Sequence, residues 1–214
     1  RGFTLICVLA GGVGAARLLN GLKDVVPAEE ITAIVNTGDD AIMHGLYICP
    51  DIDTVTYTLA GVNNIETGWG LKGETWLAME SLEKLGGETW FNLGDRDLAT
   101  HLYRTGRLAE GAGLKEITTE ITSAMGISVN LLPMTENRVE TMVTLLESGD
   151  EISFQEYFVK HRHDVSISSG RFNGSAEAKA TSGVVNAIKE AEIVIIAPSN
   201  PVVSIAPIFS VPEI

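Results

Sequence analysis

The fold of this chain is decided by its opening stretch, Leu5-Ile6-Cys7-Val8-Leu9-Ala10-Gly11-Gly12-Val13-Gly14-Ala15-Ala16-Arg17-Leu18-Leu19. A continuous apolar run, a glycine cluster and leucines at helical spacing predict a strand, a tight loop and a helix. Glycines let the backbone come close to a phosphate, and a helix N-terminus presents free N–H groups and a positive dipole end. We therefore expect Gly11, Gly12, Val13 and Gly14 to bind an anion, with a structural strand-to-helix turn as the alternative.

A second apolar stretch, residues 31–35, predicts another strand after a short helix. Two strands joined by a helix form a parallel βαβ unit with a right-handed crossover, so an α/β fold with a Rossmann-like parallel sheet is expected. Residues 192–197 predict a further parallel strand, buried on both faces. Residues 141–146 and 151–154 predict a β-hairpin.

The composition limits the classes of function. The 214 residues carry a formal net charge of −13, which argues against binding to nucleic acid or to an anionic membrane. No apolar run reaches the roughly 18 residues of a membrane span, and no signal peptide pattern is seen, so a cytoplasmic protein is expected. Cys7 and Cys49 lie in apolar surroundings and are expected to be buried free thiols.

Carboxylates follow the predicted strands. Asn36-Thr37-Gly38-Asp39-Asp40 comes directly after the second strand, and Asp51 and Asp53 follow Pro50 at the start of a predicted helix. A solvated turn and a helix cap are the simple interpretations. Four carboxylates near a phosphate loop instead favour a Mg²⁺ site or acid–base chemistry, because hard cations prefer oxygen ligands.

Further polar residues are candidates for contacts with an anionic ligand. Arg96 and Arg104 lie at a predicted helix, and the arginine fork suits phosphate or carboxylate oxygens. Ser199 and Asn200 lie between two prolines in a loop that follows the last predicted strand. That loop is expected to reach the same crevice as the glycines, because the carboxyl ends of parallel strands meet at one edge. His101 is a weaker acid–base candidate.

Five separated blocks resemble one family, the 2-phospho-L-lactate transferases of coenzyme F420 biosynthesis, and details such as His44-Gly45-Leu46 resemble its bacterial phosphoenolpyruvate-type branch. The blocks occur in the family's order: residues 10–17, residues 36–40, residues 49–54, residues 94–101 and residues 197–201.

The resemblance implies a Rossmann-like core at residues 1–65 and 181–214, with an inserted smaller α+β subdomain at residues 66–180. It also implies a homodimer. Family members continue for about another hundred residues beyond the last residue here, so the chain corresponds to a C-terminally shortened family member.

The implied reaction is transfer of a phospholactyl or phosphoenolpyruvyl group from a guanosine-diphosphate-activated donor to the hydroxyl of the deazaflavin Fo, with release of GMP and with Mg²⁺ required. Asp39, Asp51 and Asp53 are the expected catalytic and metal-binding residues. The expected contacts to substrate and nucleotide are Gly11, Gly12, Val13, Gly14, Asn36, Asp40, Arg96, Ser199 and Asn200. A neutral hydroxyl attacking a diphosphate needs charge neutralisation and alignment, which these groups would supply.

Two other functions remain open at this point. A non-catalytic nucleotide-sugar sensor of the related gluconeogenesis-factor family would share the glycine loop but not the blocks around Asp51 and Asp97. An NAD-dependent oxidoreductase would explain the loop and Asp39. However, Ala15, Ala16 and Arg17 stand where the dinucleotide fingerprint has its third glycine.

Overall fold

The computed structural model describes residues 4–214. Its strands are β1 (Ile6–Ala10), β2 (Ile31–Val35), β3 (Ala41–Met43), β4 (Leu46–Ile48), β5 (Asn130–Pro133), β6 (Glu140–Leu145), β7 (Glu151–Ser153), β8 (Ile167–Asn173) and β9 (Ile193–Ile196). Its α-helices are α1 (Val13–Leu22), α2 (Pro50–Leu59), α3 (Leu77–Lys84), α4 (Asp97–Ala109), α5 (Leu114–Ala124), α6 (Val184–Glu190) and α7 (Ala206–Phe209). Short 3₁₀ turns and two π-helical turns complete the chain.

The central sheet is parallel, with strand order β5-β2-β1-β9. Ile6 pairs with Ile31 on one side and with Ile193 on the other, so β1 lies in the interior of the sheet. The β1–α1–β2 unit therefore forms as the opening sequence predicts. The expected α/β fold with a parallel central sheet is confirmed.

Helices cover both faces of this sheet. On one face, alternate residues of β1, Ile6, Val8 and Ala10, pack with the apolar sides of α1 and α2. On the other face, Cys7 and Leu9 pack with α6 and α7. Alternation along a strand places successive side chains on opposite faces, so both faces need an apolar partner. No helix within residues 4–214 is both long enough and apolar enough to cross a membrane.

The prediction for the last strand is only partly right. β9 is parallel to β1, as expected, but it is the edge strand of the sheet within the described residues. Ile193 and Ile196 are 47% and 58% exposed, so the expectation that this strand is buried is wrong. An apolar run indicates a strand, whereas burial depends on which segments lie beside it.

A second, antiparallel sheet with order β7-β6-β8 lies between β5 and β9 in the sequence. The predicted β6–β7 hairpin is confirmed, with Val143 opposite Ile152. Strand β5, which falls within the predicted subdomain at residues 66–180, pairs with β2 in the central sheet, and the division into core and inserted subdomain stays a prediction. Both cysteines are buried free thiols, as expected.

Candidate functional site

A cavity of about 950 Å³ opens where the carboxyl ends of β1, β2 and β9 meet. The loops that follow these three strands all contribute to it, as expected for a parallel sheet. The predicted site residues that line it are Gly12, Val13, Gly14, Asp39, Asp51, Asp53, Ser199 and Asn200. The structure therefore brings most of the predicted residues to one place.

The glycine loop (residues 11–14) is packed too closely for side chains. A Cβ atom on Gly12 would collide with Oδ1 of Asp51, and one on Gly14 would overlap the carbonyl oxygen of Pro198. The loop is thus in contact with both the first acidic helix, α2, and the loop after β9. Helix α1 starts at Val13 and has no side-chain cap, which leaves its first N–H groups available at the cavity wall.

Asn36 lies behind the acidic side of the cavity, which is formed by Asp39 and Asp51, and holds these two carboxylates in place. Its side-chain Nδ2 donates to Oδ1 of Asp39 (3.3 Å) and to Oδ2 of Asp51 (2.9 Å), and its Oδ1 accepts from the backbone N–H of Gly38 (2.8 Å). Asn36 is fully buried and does not line the cavity. It was expected to contact a ligand, but here it positions the two carboxylates that do line the cavity.

These two carboxylates titrate above the ordinary range. Burial raises the pKa of Asp51 to about 6, although the hydrogen bond from Asn36 opposes the shift. Burial also raises the pKa of Asp39 well above its usual range, and the negative charges of Asp51 and Asp40 add to the effect. Asp39 and Asp51 therefore form a crowded acidic pair that a bound cation would relieve.

Asp53 has a different environment, although it lies only two residues from Asp51. Both of its carboxylate oxygens accept from the guanidinium of Arg104, which is 1% exposed. Within residues 4–214, no group of three or more His, Cys, Asp or Glu side chains is arranged to hold a metal ion. The ion pair with Arg104 argues against the expected role of Asp53 as a metal ligand.

Helices α2 and α4 are joined by a chain of buried polar groups along the cavity wall. The Tyr57 hydroxyl donates to Asp97 (2.5 Å), and Nε2 of His101 lies 3.3 Å from the same carboxylate. Nη1 of Arg104 lies 3.3 Å from Nδ1 of His101. Burial tends to raise the pKa of Asp97, but its interactions with His101 and Tyr57 prevail and lower it. Arg104 thus holds Asp53 and connects, through His101, with Asp97.

Several predicted contacts lie elsewhere. Asp40 is buried and accepts from the Cys49 thiol, facing away from the cavity lining. Arg96 is exposed and donates to the carbonyl oxygen of Lys72. Gly11 lies next to the side chains of Ser199 and Ser204 and does not line the cavity. Asp40, Arg96 and Gly11 are therefore not brought into the cavity wall, contrary to expectation.

The loop after β9 meets the cavity in two ways. The Oγ atom of Ser199 is buried and has no hydrogen-bond partner within residues 4–214. The side chain of Asn200 accepts from Val202 N–H (2.9 Å) and Val203 N–H (3.3 Å), and it thereby caps a π-helical turn at Pro201–Ile205. The Ser199 hydroxyl can hydrogen-bond to a ligand, whereas the side-chain oxygen of Asn200 already accepts two backbone hydrogen bonds.

An aromatic wall forms the other part of the cavity, and the sequence reasoning found little of it. The segment from Gln155 to Lys160 carries two adjacent aromatic residues, Tyr157 and Phe158, and the other rings come from distant parts of the chain. The aromatic residues that line the cavity are Tyr57, Trp69, Trp90, Phe91, Phe154, Tyr157 and Phe158. Gln155 joins this wall to the acidic side, because its Nε2 donates to the carbonyl oxygen of Asp39 (3.1 Å).

The comparison with known families agrees with this arrangement. A family model described as 2-phospho-L-lactate transferase CofD matches residues 6–214. The chain belongs to this family. Curated relatives include the phosphoenolpyruvate transferase of Nocardia farcinica, 46% identical over 215 residues, and that of Streptomyces griseus, 48% identical over 212 residues. The alignments cover 98% of this chain and 65% and 67% of those proteins, so the chain spans about two thirds of the length of these relatives.

Solved structures support the fold of this CofD family member. A crystal structure of a UPF0052 family protein from Bacillus halodurans superposes with a TM-score of 0.66 at 19% sequence identity. The superposition covers 99% of this chain and 64% of that one. At this level of identity the similarity concerns the architecture alone.

Proposed function

We propose that this protein transfers a phospholactyl or phosphoenolpyruvyl group from a guanosine-diphosphate-activated donor to the hydroxyl of Fo in coenzyme F420 biosynthesis. The acceptor oxygen would bond to the phosphorus that carries the lactyl or enolpyruvyl group. The bridging bond of the diphosphate would break, and GMP would leave. The observation that carries the proposal is a single cavity, in a CofD family member, that combines a glycine loop, buried carboxylates and an aromatic wall.

The glycine loop supports the binding of a diphosphate. Val13 and Gly14, at the start of α1, line the cavity, and no side chain among residues 4–214 caps this end of the helix. Oxygens of a diphosphate suit the free N–H groups of a helix start and the positive end of the helix dipole. The unpartnered hydroxyl of Ser199 offers a further hydrogen bond on the opposite side of the loop.

Asp39 and Asp51 would hold Mg²⁺ together with oxygens of the diphosphate, since this ion is usually bound through one or two carboxylates and substrate phosphates. Such an ion would neutralise the charge of the diphosphate and of the leaving group. Burial, with the added negative charges of Asp51 and Asp40, raises the pKa of Asp39, and a cation bound here would offset the cost of ionising this buried carboxyl. Asp51 has a second available role as the base that takes the proton of the acceptor hydroxyl, because a pKa of about 6 suits a base near neutral pH.

The aromatic wall supports a planar acceptor. Phe154 and Phe158 stack at 5.5 Å, and Trp90 and Phe91 form an edge-to-face pair at 5.9 Å. These rings offer apolar faces next to the carboxylates, so a deazaflavin ring would lie against them with its hydroxyl chain towards Asp51. The hydrogen bond from Gln155 to the carbonyl oxygen of Asp39 holds the aromatic wall next to the acidic side of the cavity.

The experiment is an assay of GMP release with Fo, Mg²⁺ and the guanylylated donor. It uses the protein at the length that its gene encodes, with residues 1–214 measured in parallel. GMP and Fo carrying the phospholactyl or phosphoenolpyruvyl group, in equal amounts, are the expected products. Failure of the gene-length protein to release GMP with either a lactyl or an enolpyruvyl donor would refute the transferase activity.

We further propose that the protein is a cytoplasmic homodimer, as the family resemblance implies. Light scattering on the purified protein tests the oligomeric state, with an expected mass of twice that of one chain. A monomer over the whole accessible concentration range would refute this part of the proposal without affecting the proposed chemistry.

A further inference from the structure

Asp97 is a carboxylate of the cavity wall that the proposed diphosphate chemistry does not use. It is the first residue of α4, and its side chain is 18% exposed, so a ligand in the cavity can reach it. Oδ1 of Asp97 accepts from the hydroxyl of Tyr57 (2.5 Å), which belongs to the aromatic wall. The carboxylate therefore lies beside the part of the cavity where a planar acceptor is proposed to bind.

Contacts with three other residues hold Asp97 in place. Its backbone N–H donates to Oε2 of Glu74 (3.1 Å), which ties the start of α4 to the segment before α3. Its Oδ1 accepts from Tyr57 on α2, and its Oδ2 lies 3.3 Å from Nε2 of His101, one turn further along α4. A polar group supported in this way keeps one position and is ready to bind a ligand.

Arg104 determines which nitrogen of His101 carries the proton. Nη1 of Arg104 lies 3.3 Å from Nδ1 of His101. Because a guanidinium only donates, Nδ1 accepts, and the ring proton is on Nε2, next to Asp97. Arg104 is itself held by the carboxylate of Asp53. The buried ion pair therefore places an N–H group beside the carboxylate of Asp97.

This N–H group of His101 is not satisfied by the protein. His101 is buried, and its Nε2 has no aligned hydrogen-bond partner within residues 4–214. A buried donor without a full partner is costly and points to a group that a ligand supplies. His101 and Asp97 both line the cavity. An ionised oxygen next to an N–H group is matched by a hydroxyl, which donates to the oxygen and accepts from the N–H.

The hydroxyl that fits this position is distinct from the one that reacts. Burial raises the pKa of Asp97, but its interactions with His101 and Tyr57 outweigh burial and lower it. A base works best when its pKa lies near the working pH, so Asp97 keeps its charge and leaves the proton on the hydroxyl. Tyr57 follows six residues after Asp51 on α2, so the two positions are about 9 Å apart along the helix axis.

We infer that Asp97 and His101 bind a second, non-reacting hydroxyl of the acceptor and thereby orient the reacting one. This inference rests on the proposed function and names the part of the acceptor that is recognised beside its ring. The acceptor carries a polyhydroxylated chain between its ring and its reacting end, so further hydroxyls lie along that chain. A neutral hydroxyl is also a group that the acidic cavity does not repel. No bond forms or breaks at this position, because the contact only aligns the chain.

The test compares two acceptors in the assay of GMP release with the gene-length protein: Fo, and an analogue whose chain keeps only the reacting hydroxyl. Wild type is expected to use the analogue with a kcat/KM about ten- to a hundredfold lower, the range for a hydrogen bond to a charged group. In Asp97→Asn the kcat/KM for Fo should fall by a similar factor, and the ratio between the two acceptors should shrink by about fivefold or more. The KM of the donor should stay within about twofold of wild type.

Two further variants examine the neighbours of Asp97. His101→Leu removes the N–H group and is expected to shrink the same acceptor ratio. Tyr57→Phe should lower the kcat/KM for Fo about three- to tenfold, with little further effect in the Asp97→Asn background, because Tyr57 acts through this carboxylate. Tyr103→Phe is the matched control and should change neither value, since its hydroxyl donates to Glu120 and it does not line the cavity.

The acceptor ratio is measured within each variant, so a partly unfolded preparation does not alter it. Equal use of the two acceptors by wild type would overturn the inference, and so would an unchanged ratio in Asp97→Asn. Absence of GMP release by the wild-type protein with Fo would instead refute the proposed transferase activity, and the inference with it.

Discussion

The amide of Asn36 lies between Asp39 and Asp51 and donates to both carboxylates from one nitrogen, at 3.3 Å and 2.9 Å. Its oxygen is engaged by the N–H of Gly38, so the amide has a single favourable orientation. The two acids come from different elements, the loop after β2 and helix α2. One buried side chain thus fixes the spacing of the pair that we propose to act on the diphosphate.

Asn36→Asp is the sharpest test of this arrangement. The new side chain has the same shape as that of asparagine but donates no hydrogen bond. The carboxylates of Asp39 and Asp51 then each face a third carboxylate in place of the Asn36 amide. We expect a loss of about 1–3 kcal/mol in the free energy of unfolding and a fall in turnover of at least tenfold. Asn130→Asp on the exposed edge of β5 is the matched control and should change neither. Turnover is measured by GMP release and stability by urea unfolding; a fully active variant would contradict the assignment.

Asp51→Asn should reduce turnover by at least about a hundredfold, the usual scale for the loss of an acid–base group. The reason is that an amide neither takes a proton nor neutralises a cation. The rate of GMP release at saturating donor is the measurement, and Asp24→Asn on the exposed side of the protein serves as the control. Near-normal turnover in Asp51→Asn would remove this residue from the chemistry.

The pH dependence of stability gives an independent prediction for the same residue. Burial raises the pKa of Asp51 to about 6 from its ordinary value of 3.8. Between these two values the native protein keeps a proton that the unfolded chain has released, so stability falls as the pH rises through this window. Asp51→Asn cannot ionise and keeps its hydrogen bond from Asn36. We expect it to melt at a higher temperature than wild type at pH 8, with the difference shrinking towards pH 4.

Gly12→Ala should damage activity more than stability. The added methyl group meets Oδ1 of Asp51 and displaces that carboxylate from the glycine loop. We expect at least a tenfold loss of GMP release, because small displacements of a reacting group are costly. Gly21→Ala, in helix α1 after the glycine loop, is the control: within residues 4–214 its Cβ meets nothing within 4 Å, and alanine should stabilise the helix by about 0.5–1 kcal/mol. Equal activity of the two variants would exclude this role for Gly12.

Arg104→Met tests whether Asp53 is a structural partner of the arginine. Removing the guanidinium leaves a buried carboxylate without its counter-charge, and we expect a loss of about 3–5 kcal/mol in urea unfolding. Adding Asp53→Asn should recover part of this loss, because the uncompensated charge then disappears. A double variant as unstable as the single one would show that the ion pair does not account for the role of Asp53.

The sequence predicted the β1–α1–β2 unit because its signals are local: an apolar run, a glycine cluster and leucines at helical spacing. The same reasoning failed for the surroundings of β9, which depend on segments distant in the chain. Nor does it show that β5 pairs with β2, about a hundred residues earlier in the chain. Pairing between distant segments is not encoded in local periodicity.

In the site, Asp51 and Asp53 were expected to share one role, but the structure gives them different surroundings. Asp51 and Asp53 lie two positions apart on a helix, so their side chains point in nearly opposite directions. One meets the glycine loop and the other meets Arg104. Asp39 and Asp40 also differ from each other, since only Asp39 lines the cavity. The aromatic wall was largely missed because Trp69, Trp90 and Phe158 come from three segments that only the folded chain brings together.

The contact between Gly14 and the carbonyl of Pro198 has a consequence for how the protein folds. In many nucleotide-binding proteins the first strand, loop and helix can be viewed as a self-contained module. Here the loop is completed by a residue close to the other end of the described chain, and Pro198 reaches the loop only when β9 lies beside β1. Ribosome-bound chains that end before residue 198 should therefore be unable to hold a nucleotide. Ligand binding then reports on completion of the whole sheet.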